Sequence, residues 1–469
     1  MRLWAAIGLL ALLAGGARAA EELRLPPVTR ATLPNGMRLV VAEYHELPLV
    51  ELYAIVGAGA AQDPAGKEGL AQLVAASLKR GAGGLSAEAL ARAIESLGGT
   101  VTAAAGSDGT TLTAEFLSSD FSAGLDLVRR VLLEPAFDKD EVRRARDEQA
   151  AGIVAALEDP SAVADKCFAA FLYGTYAYGR PVEGRRASVA KLDRGDVRTF
   201  YDRWYRPNDT ILVLVGDVGA PEAERQLAGA FGAWTPRPDA VAARAPAPPR
   251  WSTRRVLLVD EPDATQTQIR FGNLSIARAA PDWLPAQVAN TILGGGFTSQ
   301  LIEELRIKRS LTYAAWSMFS ARLMGGDFRI GTFTKTPTST ETLALALDVL
   351  GAFRTHAPDA KALEKAKTYL RGQFPLRLET PDALAARLAE IEFQGLPRDE
   401  LETFRGRVAG VSADEVLRVA QADMPPPDAV AVVVVGKGSA IRAPLEARLG
   451  PVSVVSPDAC EDPASLPRP

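Results

Sequence analysis

The sequence predicts an α+β protein of two homologous domains, each a mostly antiparallel sheet with helices packed on one face. Three observations carry this: a Pro-rich, polar stretch from Pro236 to Pro249 splits the chain, landmarks on its two sides repeat at a near-constant offset, and strand-like and helix-like runs are interleaved within each side. Leu157-Glu158-Asp159-Pro160 returns as Leu378-Glu379-Thr380-Pro381, and Gly174 at the end of the next helical run answers Gly395. Leu192-Asp193-Arg194-Gly195-Asp196-Val197 matches Val411-Ser412-Ala413-Asp414-Glu415-Val416. Both are helix starts, with Asp193 or Ser412 as N-cap and an acid three residues later in the reciprocal capping position. Each half then enters a β-branched strand, Ile211 to Val215 or Ala431 to Val435, closed by Gly216 or Gly436. Offsets of 219 to 221 residues at four landmarks make the chain an internal duplication.

Taken in order, the chain opens with Met1-Arg2, an apolar run from Leu3 to Gly16, and Ala17-Arg18-Ala19. Residues 1–19 read as a secretory signal peptide. The first domain spans 20–235. Pro34-Asn35-Gly36 is a turn between strands, and Met37 to Ala42 and Val50 to Val56 are strands. Thr100 to Ala105 pairs with Thr110 to Leu117 across Gly106-Ser107-Asp108-Gly109. Helical spacing predicts helices at about Gly69–Lys79, Ala87–Leu97, Phe121–Leu132, Lys139–Leu157 and Ala162–Leu172. Residues 236–250 form the linker and 251–455 the second domain, and the Pro- and Asp-rich residues 456–469 read as a disordered tail.

Composition excludes several classes. With 53 basic and 57 acidic residues the net charge is −4, and no basic stripe points to nucleic acid. After the leader no apolar run approaches about eighteen residues, so no membrane anchor is expected. Richness in Ala, Arg, Gly and Pro fits a GC-rich bacterial genome, which with the leader places the protein in a Gram-negative periplasm. The only cysteines are Cys167 and Cys460. Two cysteines build no disulfide framework; Cys167, in an apolar helical run, reads as a buried inert thiol and Cys460 as free or incidental. The only histidines are His45 and His356, both expected at the surface without assigned chemistry.

Landmarks along nearly the whole mature chain carry a resemblance. They are Leu33-Pro34-Asn35-Gly36, the region from Gly57 to Arg80, Tyr178-Gly179-Arg180-Pro181, Tyr205-Arg206-Pro207-Asn208 leading into Val213-Leu214-Val215-Gly216-Asp217, and Leu293-Gly294-Gly295-Gly296 followed by Leu305-Arg306. In this order and spacing they resemble the insulinase or pitrilysin-type zinc metallopeptidases, in the short bacterial form related to mitochondrial processing peptidase. The resemblance implies that the two domains form a half clamshell.

Active members of that family carry His-x-x-Glu-His on the helix that here begins at Gly69. Two imidazoles four residues apart bind the metal, and the carboxylate between them activates water. This chain has Gln72 and Ala76 at the ligand positions and Ala75 at that of the general base. The third ligand position, a distal glutamate in active members, aligns with Gly152, and where active members carry an Asn on the strand after Gly98-Gly99 this chain has Thr102. Glu148, one turn from Gly152, is a lone carboxylate that cannot hold zinc by itself. No metal site is therefore expected, and no cofactor in this chain.

The second half keeps what the first has lost. Arg306 and Tyr313, seven residues apart, match a family pair that reaches the scissile peptide from the opposite half or the opposite subunit. A tyrosine hydroxyl can donate to a developing oxyanion, and a guanidinium can hold a peptide backbone in fixed geometry. Read without that context, Arg306 beside Glu303 and Glu304 is an ion-paired surface residue and Tyr313 is strand packing. Gly294, Gly295 and Gly296 lack the Gly-Lys-Ser/Thr ending of a phosphate loop; in the family this turn lines the chamber where substrate enters. The expectation is a non-catalytic subunit of a heterodimeric zinc peptidase that degrades peptides, with zinc in a homologous partner. A protein that kept the fold for binding or scaffolding is the alternative. An enzyme with another nucleophile ranks last, since there is no Gly-x-Ser-x-Gly elbow and no Cys-His pair.

Overall fold

A computed structural model describes residues 25–236 and 250–467. The leader read at 1–19 and nearly all of the linker lie outside the described residues. In the first half β1 (Val28–Thr32), β2 (Arg38–Glu43), β3 (Leu49–Val56), β4 (Thr100–Ala105), β5 (Thr110–Leu117) and β6 (Thr210–Gly216) form one six-stranded sheet in the order β1-β2-β6-β3-β5-β4. In the second, β7 (Arg255–Asp260), β8 (Gln266–Leu274), β9 (Ala315–Phe319), β10 (Asp327–Lys335), β11 (Ala431–Gly436) and β12 (Val452–Val455) follow the order β12-β7-β11-β8-β10-β9. The duplication is visible strand by strand. β2 and β6 are parallel, as are β7 and β11, and β3-β5-β4 and β8-β10-β9 are antiparallel meanders. The outer strands break the symmetry: β1 is antiparallel to β2, whereas β12 is parallel to β7.

Local chemistry sets the element ends as the sequence indicates. Asp193 accepts from the Asp196 N–H at 3.0 Å and Ser412 from the Glu415 N–H at 3.2 Å, while each acid bonds back to its cap's N–H. Asn35 donates to the carbonyls of Phe231 and Trp234, at 2.8 and 3.1 Å, tying the first turn to the end of the half.

Helices of each half cover one face of its own sheet. The opposite face is covered by a helix from the other half. The Pro160–Tyr173 helix packs on β8 and β11, and its Val163, Cys167, Phe168 and Phe171 share one apolar cluster with Leu257, Val259, Val433 and Val435. Its repeat equivalent, the Pro381–Gln394 helix, packs on β3 and β6 through Leu384, Leu388 and Ile391. This reciprocal exchange explains why β6 and β11 are buried on every residue and read as unbroken apolar runs. It also means that the division at the linker separates the two halves in sequence and not in their cores.

Two sequence expectations are overturned here. Cys167 and Cys460 form a disulfide, so neither is a free thiol. The segment expected to be a disordered tail from 456 is ordered to 467: Pro457–Glu461 forms a 3-10 turn, Cys460 and Leu466 are buried, and Glu461 binds Lys166 at 3.1 Å. The physical cause is the helix exchange, which brings Cys167 across to the second sheet, where β12 delivers the chain end.

At the seam made by the Pro381 helix lies Glu51, only 5% exposed. It stands directly opposite Glu115 on β5. Burial first, then Glu115 and Asp382, pushes its carboxyl up from 4.5 to about 8. The folded chain therefore keeps the proton over a range in which the unfolded chain has lost it. Stability contributed here is full below about pH 4.5 and declines as pH rises towards about 8. Glu51→Gln is expected to raise the unfolding free energy measured by urea titration at pH 8 by about 1 to 3 kcal/mol and leave it unchanged at pH 4. Parallel pH profiles for wild type and variant would refute this.

Candidate functional site

The Leu70–Leu78 helix is seated by Asp63, which accepts from the N–H groups of Gly69 and Ala71 at 2.7 and 2.8 Å. Burial holds that carboxyl up at about 7 in spite of both donors. The helix meets the Lys139–Ala156 helix, and Gln149 of the latter donates to the Gly69 carbonyl at 2.9 Å. The fold thus places side by side the two helices on which family members carry their ligands.

The side chains do not fit a zinc ion. Gln72 spends its carbonyl oxygen on the Ala105 N–H of edge strand β4, at 2.9 Å. Ala75 is buried and Ala76 half-buried against the core, and neither has a donor atom. A Cβ built on Gly152 would meet nothing within 4 Å; the position faces a groove of about 350 Å³ lined also by Ala156, Ala162 and Ala169. Glu148 is held by Arg80. Thr102 bonds Thr113 across the strand pair at 2.7 Å. Among the described residues no group of three or more His, Cys, Asp or Glu side chains is placed to hold a metal ion. His45 bonds Asp217 at 2.7 Å and Glu43 at 3.3 Å, and His356 bonds Thr355 at 2.7 Å, both on exposed surface. The carboxylates, Asp217 first, hold the His45 imidazole above its usual range.

Arg306 and Tyr313 occupy a different setting. Residues Ile302–Lys308 form a π-helix, a rare conformation enriched at functional sites, and Ser310 just beyond it has φ 51°, a strained value for a side-chain-bearing residue. The backbone is pinned: Leu311 N–H reaches the Leu305 carbonyl at 2.8 Å, and Thr334 and Thr332 donate to the carbonyls of Leu311 and Ala314 at 2.6 and 2.9 Å. The two side chains are free of such ties. Arg306 is exposed and Tyr313 is 76% exposed, and among the described residues neither has a hydrogen-bond or ion-pair partner. The two acids expected beside Arg306 both face Lys308 instead, Glu304 at 2.6 Å and Glu303 at 4.0 Å.

The three glycines have separate surroundings. Gly294 is buried against β9, where a Cβ would lie 2.6 Å from the Ser317 nitrogen, so its role is close backbone packing. Gly295 is exposed and Gly296 half-buried on a cleft.

A contact between the halves is absent from any sequence pattern. The β4–β5 turn meets the loop after β9: Tyr178 donates to Asp108 at 2.6 Å and accepts from the Met324 N–H, and Arg322 donates to Ser107 at 2.7 Å while lying 4.5 Å over the Tyr178 ring. Burial, with Asp108 alongside, drives the Tyr178 phenol far above its usual range, so it remains a donor. Tyr178 stands in a family landmark, which was the one available signal.

Comparison with known proteins agrees with this geometry. Residues 39–185 match the family model for insulinase, peptidase family M16, and residues 191–370 match that for the peptidase M16 inactive domain. An uncharacterized zinc protease of Mycobacterium leprae is 28% identical over 79% of this chain and 84% of its own length. A non-peptidase homolog, YmxG, of Helicobacter pylori is 23% identical over 85% and 90%. The crystal structure of a peptidase M16 inactive domain from Pseudomonas fluorescens superposes with a TM-score of 0.82 at 27% identity, covering 87% of this chain and 98% of that one. With both halves matched in order and the metal positions filled by Gln72, Ala76 and Gly152, the chain belongs to the insulinase-type peptidase family M16 as an inactive, peptidase-like member lacking the zinc-binding motif.

Proposed function

We propose that this chain is the non-catalytic subunit of an exported, heterodimeric peptidase whose homologous partner carries His-x-x-Glu-His and the zinc. The observation that carries the reading is the contrast between the two halves. The ligand positions of the first are filled by groups that bind no metal, while the second presents Arg306 and Tyr313 on a pinned, strained backbone with no hydrogen-bond or ion-pair partner for their side chains among the described residues. Backbone strain of this kind persists only where the surrounding structure holds it, and it clusters at active sites and ligand clamps. In the assembled enzyme this chain shapes the chamber and limits substrate size, Arg306 holds the peptide backbone, and the Tyr313 hydroxyl donates to the oxygen on which negative charge develops.

The test is peptide hydrolysis by the purified chain alone and mixed with a family member that has the intact motif, taken from a neighbouring gene. Activity only in the mixture, abolished by a chelator, is the expected outcome. Activity of this chain alone would overturn the reading, and silence in the mixture would leave the fold serving as a binding scaffold.

A further inference from the structure

The turn that follows the Trp283–Leu293 helix and one face of the Ala360–Gln373 helix enclose a cleft of about 420 Å³. Its floor is apolar, made by Ile292 and Ala366, with Tyr369 along one wall. Lys361 and Lys365 stand on the same wall one helical turn apart. Both are exposed, and among the described residues neither is ion-paired.

The nearby acids are already committed. Asp359 spends its carboxylate on the Ala362 N–H at 2.7 Å as the helix cap, and Glu364 pairs with Lys367 at 3.3 Å. Asp359 keeps its own negative charge on the same wall, so the two lysines and this one acid leave the rim with a net charge of +1 on a chain of net charge −4. On the other lip Phe297 is 86% exposed, more than any other large hydrophobic side chain described. Its ring leaves water only when something fills the cleft, a transfer that favours an apolar occupant. The same turn holds the Ser299 hydroxyl, buried without a hydrogen-bond partner.

We propose that this cleft binds an acidic peptide segment bearing an aromatic or large apolar side chain. That side chain sits between Phe297 and Tyr369, and the flanking carboxylates face Lys361 and Lys365. The proposal gives the subunit reading a class of peptide, and it rests on that reading only for the peptide's fate; binding is a property of this chain by itself.

The experiment is fluorescence anisotropy on the isolated full chain with two labelled peptides, one phenylalanine flanked by glutamates and one phenylalanine flanked by lysines. The acidic peptide is expected to bind and the basic one not. Affinity should fall with added salt. The double variant Lys361→Glu/Lys365→Glu should weaken the acidic peptide by about tenfold or more, and Phe297→Ala should weaken it several-fold. All three side chains are exposed, so the variants fold. Equal binding of both peptides, no binding of the acidic peptide at millimolar protein, or an unchanged affinity in the double variant would overturn the proposal. Binding as expected beside a silent hydrolysis mixture would count against the subunit reading and leave this one standing.

Discussion

Tyr313→Phe is expected to slow peptide turnover by the assembled complex by about a hundredfold or more, with assembly and the fold of this chain unchanged. The substitution removes one hydroxyl from a side chain that is 76% exposed and makes no hydrogen bond within the described chain, so stability has nothing to lose. If that hydroxyl donates to the oxygen that becomes negative in the transition state, the loss falls on kcat with KM nearly constant. Arg306→Lys should act differently. An ammonium keeps the charge but not the planar fork, so peptide positioning weakens and KM rises. A complex that assembles at normal affinity and turns over at the wild-type rate with Phe at 313 would remove Tyr313 from the chemistry. The surrounding backbone explains why these two positions suit such a role. A π-helix and a left-handed Ser310, held by Thr332 and Thr334, present both side chains without relying on contacts from the side chains themselves.

The second large effect concerns the bond between Cys167 and Cys460, which spans 293 residues. Reducing it, or replacing both residues by Ala, is expected to cost about 2 to 5 kcal/mol of unfolding free energy. The cross-link restricts the unfolded chain, and in the folded one it fastens the end of the second half to a helix contributed by the first. Lys166–Glu461 and Arg185–Asp462 run alongside it, so the segment after Val455 should become the first to exchange amide protons when the bond is cut. Urea midpoints with and without reductant, with thiol counting under native conditions, provide the check. Identical midpoints for the oxidised protein and the double Ala variant would show that packing of the Pro160 helix suffices without it. A buried disulfide suits an oxidising compartment, which supports export as part of the proposal.

Much of the molecule was legible in the order of its residues. The capping pairs at Asp193 and Ser412, the turn at Asn35-Gly36 and the strands read from Val50 to Val56 and Thr110 to Leu117 follow from neighbours a few positions apart. The loss of the zinc-binding motif was readable for the same reason, since a ligand needs a donor atom and Ala76 and Gly152 have none. The repeat at 219 to 221 residues announced two equivalent halves. Periodicity could not say which sheet each helix covers. An apolar stripe such as Val163, Phe168 and Phe171 specifies burial but not the partner surface, and both sheets offer an apolar outer face of β-branched side chains.

Local propensity and donor chemistry are properties of short stretches, so the sequence by itself determined the element types, the duplication and the absence of zinc ligands. Tertiary structure alone decided the exchange of the Pro160 and Pro381 helices, and with it the disulfide, the ordered chain end and the buried Glu51. Each of these depends on groups far apart in the chain. They meet because two half-covered sheets bury more apolar surface by sharing helices than either does alone.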